Sequence, residues 1–326
     1  MTKYVAKRII MIIPIVLGVT LILFVLISVL AGSNIGQTTI YGGGDTLDSI
    51  FSFFNAGENL FTRYIRYCYN LFIHFDFGRS GATGLSLMRE IPYRVRNTIY
   101  LLACSVGVTL VVGIPAGIYA AVHKNRFGDR LVNVITLLFS SIPSYSLALM
   151  FALIFAVYLR LLPVISSYTS PVAFFMPTLT ISLGGIASIA RMTRTSMLEV
   201  LEKPYIQALR SKGLKEVDVV YRHALKNALI PVVAALGGLI AQLLCGAFVA
   251  EHFFNVPGLG TYILRSVSAR DHNEVLGCTV ILTVMLTITN IAADILYVSI
   301  NPQIKRRYSQ GNSAALGGRL RKGASE

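Results

Sequence analysis

The chain has 326 residues, of which 54% are hydrophobic and 13% charged, and it carries a formal net charge of +14. A soluble domain has about 25% charged residues, so this composition excludes an ordinary water-soluble enzyme and puts most of the chain in lipid. In a soluble protein the positive charge would point to nucleic acid. In a membrane protein it reflects Lys and Arg enrichment in cytoplasmic loops, and no nucleic-acid partner is expected.

Lys3, Lys7 and Arg8 precede an apolar run from Ile9 to Ala31. A cleavable signal core is about 7–15 residues long. This run has 23 residues and reaches about 35 Å at ~1.5 Å per residue, enough to cross a bilayer. Residues 1–31 therefore read as a terminal segment and a first membrane anchor.

Residues 32–98 follow as an extracytoplasmic loop. It opens with GSNIGQ and YGGGDTL, whose glycines deny regular structure, and continues into an aromatic-rich stretch from Phe51 to Phe77. That stretch predicts one or two short helices against the membrane surface, as an aromatic belt or as a ligand contact. Cys68 lies in this polar region, whereas Cys104, Cys245 and Cys278 sit in apolar runs, where cysteine behaves as a small hydrophobe. Their spacing is not that of a metal site, and the five histidines show no zincin pattern, so no metal is expected.

Five more apolar runs come next: Ile99–Val122, Leu131–Leu159, Val172–Ala190, Ala228–Ala250 and Val275–Ile300. With the first they predict an all-α polytopic membrane protein of six transmembrane helices. Residues 99–302 form its core, containing a polar loop at 191–227 between the fourth and fifth spans, and 303–326 form a basic, low-complexity tail expected to be disordered. Six spans put both ends on one face. With that face comprising the N-terminus, 123–130, 191–227 and 301–326, it holds 20 of the 29 Lys and Arg; six of the other nine lie in the long outer loop. Loops over about 60 residues count little toward orientation, so both termini are expected in the cytoplasm.

The loop between spans four and five reads EVLEKPYIQALRSKGLKEVDVVYRHALKNALIP from Glu199 to Pro231. Leu198, Leu201, Tyr205 and Leu209 recur at helical spacing and make one apolar stripe. Gly213 suits the position after a helix end, where positive φ is common. Val217, Val220, Ala224 and Ala228 make a second stripe leading into span five. The pattern predicts a helix, a glycine turn and a second helix entering the membrane. It fits a docking element for a soluble partner, and equally an interfacial helix that only anchors the loop.

This segment resembles the cytoplasmic coupling loop of bacterial ABC-importer permeases, in the oligopeptide, dipeptide and nickel branch. The general loop reads Glu-Ala-Ala, three residues, then Gly; here Gln207, Ala208, Leu209 and Gly213 align, so two of the three opening residues depart from it. The branch form fits better, with Tyr205, Arg210, Lys212-Gly213-Leu214 and RHALKNALIP at 222–231. TRTSMLEVL at 193–201 is similar to the branch's lead-in. The outer turn has Glu251, Phe254, Pro257, Gly258, Leu259 and Gly260 in the order of its E–F–PGLG motif. DFGRS (76–80), GIPAGIYAA (113–121), Asp129-Arg130, Ser141-Ile142-Pro143, Arg270-Asp271 with Gly277, and Asn290, Asp294, Tyr297 and Asn301-Pro302 also match in order.

The resemblance implies a bacterial inner-membrane permease subunit that is not itself catalytic and binds no cofactor. It implies a second, related permease, two ABC ATPase subunits that hold ATP and Mg, and an extracytoplasmic binding protein that delivers cargo. Short peptides are the expected cargo, with nickel chelates or another small solute as alternatives within the branch. It further implies that Leu201, Tyr205, Ala208, Leu209 and Leu214 are apolar knobs fitting an ATPase groove, with Gly213 as the elbow and Gln207 and Arg210 as further coupling residues.

The chain has no Gly-x-x-x-x-Gly-Lys-Ser/Thr phosphate loop, so by that route it hydrolyses no ATP itself. Asp294 is the one carboxylate inside an apolar run, and such an acid is a functional candidate. It lies toward the end of span six, where a packing or hydrogen-bonding role is expected; an ion-coupled secondary transporter would place charges nearer the midplane. The pairs Gly184-Gly185 and Gly237-Gly238 permit close helix approach, with pathway lining as the other reading.

Overall fold

The computed structural model describes residues 10–32, 60–81, 83–162 and 171–300. The glycine-rich opening of the outer loop, the Asn301-Pro302 pair and the basic tail lie outside them. Among the described residues there are helices and no strands, apart from one isolated bridge between Arg79 and Ser86.

Helix α1 (Ile12–Gly32) packs against α2 (Leu60–Ile73), a short helix within the described part of the aromatic stretch. Tyr67 and Leu71 of α2 turn inward against Val16 and Phe24 of α1, and Leu276 and Val280 complete this small core. The Tyr64 hydroxyl donates to the Leu17 carbonyl at 2.7 Å, so α2 is tied to the anchor by a polar contact as well.

Helix α3 (Leu87–Val122) starts twelve residues before the expected start of span two, so the last part of the presumed outer loop is already helical. At ~1.5 Å per residue its 36 residues reach about 54 Å, well beyond the ~30 Å hydrocarbon layer. It passes Pro92 and Pro115 without a break.

The expected third span, Leu131–Leu159, is not one helix. It divides into α4 (Phe127–Ser141) and α5 (Ser144–Phe151), the latter continuing as a π-helical stretch, Ala152–Tyr158, and the halves are bent by 101°. The break falls at Ile142-Pro143. Proline lacks the N–H that would continue the ladder and forces its predecessor out of the helical region, as Ile142 shows with φ −91° and ψ 125°.

Helix α6 (Phe175–Leu201), entered through a 3-10 turn at Pro171–Phe174, runs alongside α3 and is the most enclosed span, with 56% of its most apolar window buried. Glycines let the two backbones meet. A Cβ on Gly117 would stand 2.5 Å from the Ala190 carbonyl oxygen and 2.6 Å from Thr193 Cβ, and one on Gly185 would stand 2.8 Å from Thr109 Oγ1. Lipid is as apolar as leucine, so close backbone packing of this kind is a main source of helix association in a membrane.

After α6 come α7 (Pro204–Ser211), a single turn at Glu216–Asp218, a π-helical stretch Val219–Ala224, and α8 (Leu225–Ala234). Helix α9 (Leu236–Phe253) follows a turn at Ala235, so the expected fifth span is interrupted near its start. Helices α10 (Leu259–Ser268) and α11 (His272–Ile300) end the described chain. Leu101, Ile181, Ile189, Leu243, Leu244 and Leu259 sit in the main core between α3, α6, α9 and α10. Among the described residues four helices are long and apolar enough to cross a membrane, five if the bent pair is one span, and α1 adds a shorter apolar stretch at Ile12–Ile27.

Candidate functional site

The loop after α6 folds back on the ends of α3 and α6. Lys203 is extended and Pro204 opens α7 at its first turn, where proline's missing N–H costs nothing. The first stripe therefore does not run along a single helix. Ile206, fully enclosed, is the residue that seats α7 among Ile118, Met197, Val219 and Ala224. Leu201, Leu209 and Leu214 are half-buried against the same core, whereas Tyr205, Gln207, Ala208, Arg210 and Gly213 are exposed. Gly213 has φ 78°, and no atom would lie within 4 Å of a Cβ there, so its role is backbone freedom and not space.

In the second stripe Val220, Ala224 and Ala228 are buried as expected, but Val217 is 66% exposed and Val219 is buried in its place. The π-helical stretch explains the shift, because its wider turn rotates the inward face. Polar ties hold the elbow. Arg210 donates to both carboxylate oxygens of Glu216, at 3.1 and 2.6 Å, and Asn227 donates to the Tyr205 hydroxyl at 2.9 Å. The hydrogen bond and charge of Arg210 hold the Glu216 carboxyl below the ordinary carboxylate range.

Two ion pairs join this region to the first turn of α4 and the turn before it. Arg194 of α6 donates to both oxygens of the buried Asp129, at 2.6 and 2.8 Å, and the Asn125 amide and Asn133 side chain complete that carboxylate's shell. Lys124 meets Glu202 at 2.9 Å, one residue past the end of α6. The 123–130 turn and the 202–216 elbow therefore occupy the same end of the bundle.

At the C-terminal end of α9 the E–F–PGLG motif closes on itself. Glu251, with no exposed surface, accepts from Thr98 Oγ1 at 2.6 Å and from the Gly260 amide at 2.7 Å. Thr98 Oγ1 in turn accepts the Leu259 amide at 2.9 Å, and Asn97 donates to the Pro257 carbonyl at 3.0 Å. The Glu251 carboxylate occupies the space a Cβ on Gly258 would need, and a Cβ on Gly260 would sit 2.5 Å from Phe248 Cα. Phe254 and Leu259 are buried beneath. The motif is thus an internal clasp between α3, α9 and α10.

A second polar group lies beside the clasp. Ser80 donates to Asp271 at 2.8 Å, and Tyr262 donates to one carboxylate oxygen of Glu274 at 2.7 Å while the Ser266 hydroxyl donates to the other. The Arg94 guanidinium stands over the Tyr262 ring at 4.5 Å. Burial and the bond to Glu274 push the Tyr262 phenol above its ordinary value. The DFGRS stretch and the Arg270-Asp271 pair, remote in sequence, meet here.

Between the two ends, α4, α5, α6 and α9 enclose an open cleft of about 810 Å³. Ser140, Thr180, Ser188, Arg191, Glu199 and Gln242 are among its lining. Gly184 and Gly185 both line this cleft, and Gly185 also packs closely on Thr109 of α3 and Leu243 of α9. Gly237 packs on Asn290 and Ala293 of α11. Asn290 and Asp294 line a smaller cleft of about 560 Å³ between α1, α9 and α11, with Gly238 and Thr287. Tyr297 is on α11, but its side chain is outside those described.

Residues 113–306 match the family described as the binding-protein-dependent transport system inner membrane component. The chain belongs to that family. Along 94% of its length this permease is 34% identical to the dipeptide transport system permease protein DppB of Bacillus subtilis (strain 168), covering 98% of it. It is 31% identical to the glutathione transport system permease protein GsiC of Escherichia coli (strain K12) over the same share of its length, covering 99% of that protein. The fold is similar to that of a chain of the MetNI methionine ABC transporter solved in inward-facing conformations, with TM-score 0.55 and 21% identity over 66% of this permease and 98% of that chain. The permease is therefore a multi-span, inner-membrane subunit of an ABC importer, in the peptide branch.

Three features of the permease escape a reading of the sequence. Ile206 is one apolar residue among several in the loop; only Lys203-Pro204, a signal for a fresh helix start, marks the change of phase. Arg194 lies 65 residues from Asp129, and no spacing rule pairs them. Thr98 and Asn97 are unremarkable at the end of a polar loop, and become part of the clasp only because α3 passes beside α9.

Proposed function

We propose that this permease forms half of the membrane pathway of an ATP-driven importer for short peptides, delivered by an extracytoplasmic binding protein. The observation that carries the cargo class is the near-full-length similarity to a dipeptide permease. Glutathione, named for the other relative, is itself a γ-linked tripeptide. A second, related permease supplies the other half, and two ATPase subunits, holding ATP and Mg, dock on the cytoplasmic side.

The six spans are α1, α3, the bent α4–α5 pair, α6, the interrupted α8–α9 pair and α11. Both termini lie in the cytoplasm. The charge asymmetry supports this orientation, and so does the shared location of the 123–130 turn and the 202–216 elbow, which the charge count assigns to one face. Helix α7 acts as the coupling helix: Ile206 seats it, Tyr205, Gln207 and Ala208 face outward to the ATPase, and Gly213 with the Arg210–Glu216 tie sets the elbow. The half-buried Leu201, Leu209 and Leu214 contribute through the seat more than through direct contact. Residues 32–98 and 303–326 act as an outer loop and a cytoplasmic tail around the core.

The test is uptake of labelled dialanine, trialanine, glutathione and nickel by the assembled transporter with its binding protein in proteoliposomes. ATP-dependent accumulation of a peptide, abolished by replacing the phosphate-loop lysine of the ATPases, is the expected result. Uptake that persists under a proton gradient with those ATPases inactive would overturn the reading in favour of an ion-coupled carrier.

A further inference from the structure

Helix α6 is largely enclosed, yet Ser188, Arg191, Thr195 and Glu199 are exposed along it at helical spacing. All four line the 810 Å³ cleft, within the range of small-ligand sites. Arg191 and Glu199 are the two Arg, Lys, Asp or Glu residues in that lining. Charged side chains on a span do not face hydrocarbon without large cost, so this stripe faces water, a ligand or another subunit.

The charges are fixed in opposite sign and at a defined separation. Eight residues of helix place their Cα atoms ~12 Å apart along the axis. An extended peptide of three residues is roughly 10 Å long, and it carries a carboxylate at one end and an ammonium at the other. Arg191 is held toward the cleft by donating to Ser140 Oγ at 2.9 Å, which uses one of its five N–H donors. Glu199 forms no ion pair among the described residues. Between the two lies Thr195, and the opposite wall offers Ser144 and Gln242, uncharged groups suited to a peptide backbone.

We propose that Arg191 and Glu199 bind the carboxylate and ammonium ends of a short peptide, of about three residues, in the cleft between α4, α5, α6 and α9. The inference rests on the peptide-importer reading above and adds the residues that recognise the two peptide ends. Both charges must be intact on the peptide, so a cap at either end weakens its hold.

Cys245 lines the same cleft and is exposed, which supplies a reporter. In the assembled transporter with Cys68 and Cys104 replaced by serine, the rate of maleimide alkylation at Cys245 is measured with trialanine, trialaninamide and N-acetyl-trialanine. No binding protein is present, so its selectivity does not enter. Trialanine is expected to slow alkylation at least fivefold more than either capped form. Arg191→Gln should make trialanine no better than the amide, and Glu199→Gln should make it no better than the acetylated form. Equal protection by all three peptides in the parent, or unchanged discrimination in both variants, would overturn the proposal. So would loss of the second permease on copurification of either variant, because that places the two charges in a subunit contact. ATP-dependent uptake of trialanine by the unmodified transporter is measured in parallel: its absence defeats the peptide reading, and its presence with undiscriminating protection defeats this inference alone.

Discussion

Replacing Ile206 by alanine isolates the seat of α7, the proposed coupling helix. The side chain is fully buried among Ile118, Met197, Val219 and Ala224. Removing three carbons from such a site costs about 2–4 kcal/mol through lost transfer energy and the cavity left behind. Helix α7 has eight residues, too few to be stable alone, and Ile206 is its one fully buried side chain. The loss therefore falls on docking and not on the membrane core. At ~1.4 kcal/mol per factor of ten, about 3 kcal/mol shifts the docked-to-undocked ratio roughly 100-fold. In proteoliposomes containing the full transporter, Ile206→Ala should reduce peptide uptake at least tenfold while the permease stays in the membrane at parental level. ATP hydrolysis should become insensitive to loaded binding protein, since the lever no longer reports the state of the spans. Tyr205→Phe, which removes only the exposed hydroxyl bonded to Asn227, should change uptake less than twofold. Coupled transport at the parental rate in Ile206→Ala would refute the idea that this buried contact transmits force.

Gly213→Asp places a side chain on a residue at φ 78°, a cost of about 1 kcal/mol with no steric clash, so uptake should fall severalfold with membrane abundance unchanged on immunoblot. Asp129→Ala leaves Arg194 without its bidentate partner. It should destabilise the permease by about 3 kcal/mol, read as a lower midpoint in a thermal aggregation assay. Gly117→Val would force its Cβ against the Ala190 carbonyl and Thr193, separating α3 from α6, and should abolish accumulation of the folded permease; a normal yield would show that the helix contact is not close. The depressed Glu216 carboxyl adds loop stability above its ordinary value of about 4.5 and loses it as pH falls through the lower folded value. Because the pair is exposed, its worth is under about 1 kcal/mol. Limited proteolysis of the elbow should be flat from pH 6 to 8 and accelerate only in acid, and Glu216→Gln should remove that acid step.

Much of this permease is legible in its sequence. Lipid selects long apolar runs and leaves charge at their ends, so the helical class follows from composition and periodicity. The bounds follow less closely, since α3 begins twelve residues early and α6 runs on to Leu201, inside the polar stretch 191–227. Gly213 could be read as a left-handed position because only glycine adopts that backbone freely. Local rules reached less far where one element answers to another. Pro143 was visible, but whether it bends a span or breaks it depends on what packs on either side; here the chain turns by 101°. Val217 and Val219 exchanged places because a π-helical stretch shifted the phase, and periodicity assumes an unshifted helix.

The order of motifs and their chemistry were fixed by the residues themselves, since a span, a turn glycine or a missing phosphate loop needs no neighbour to be recognised. The pairing of Asp129 with Arg194, the enclosure of Glu251 by Thr98 and Gly260, and the seating of Ile206 came only from the folded chain. Each joins groups that are distant in sequence or on different elements. Burial turns an ordinary acid, threonine or isoleucine into a contact whose loss the protein cannot make good with water, and burial is a property of the packed bundle rather than of any one segment.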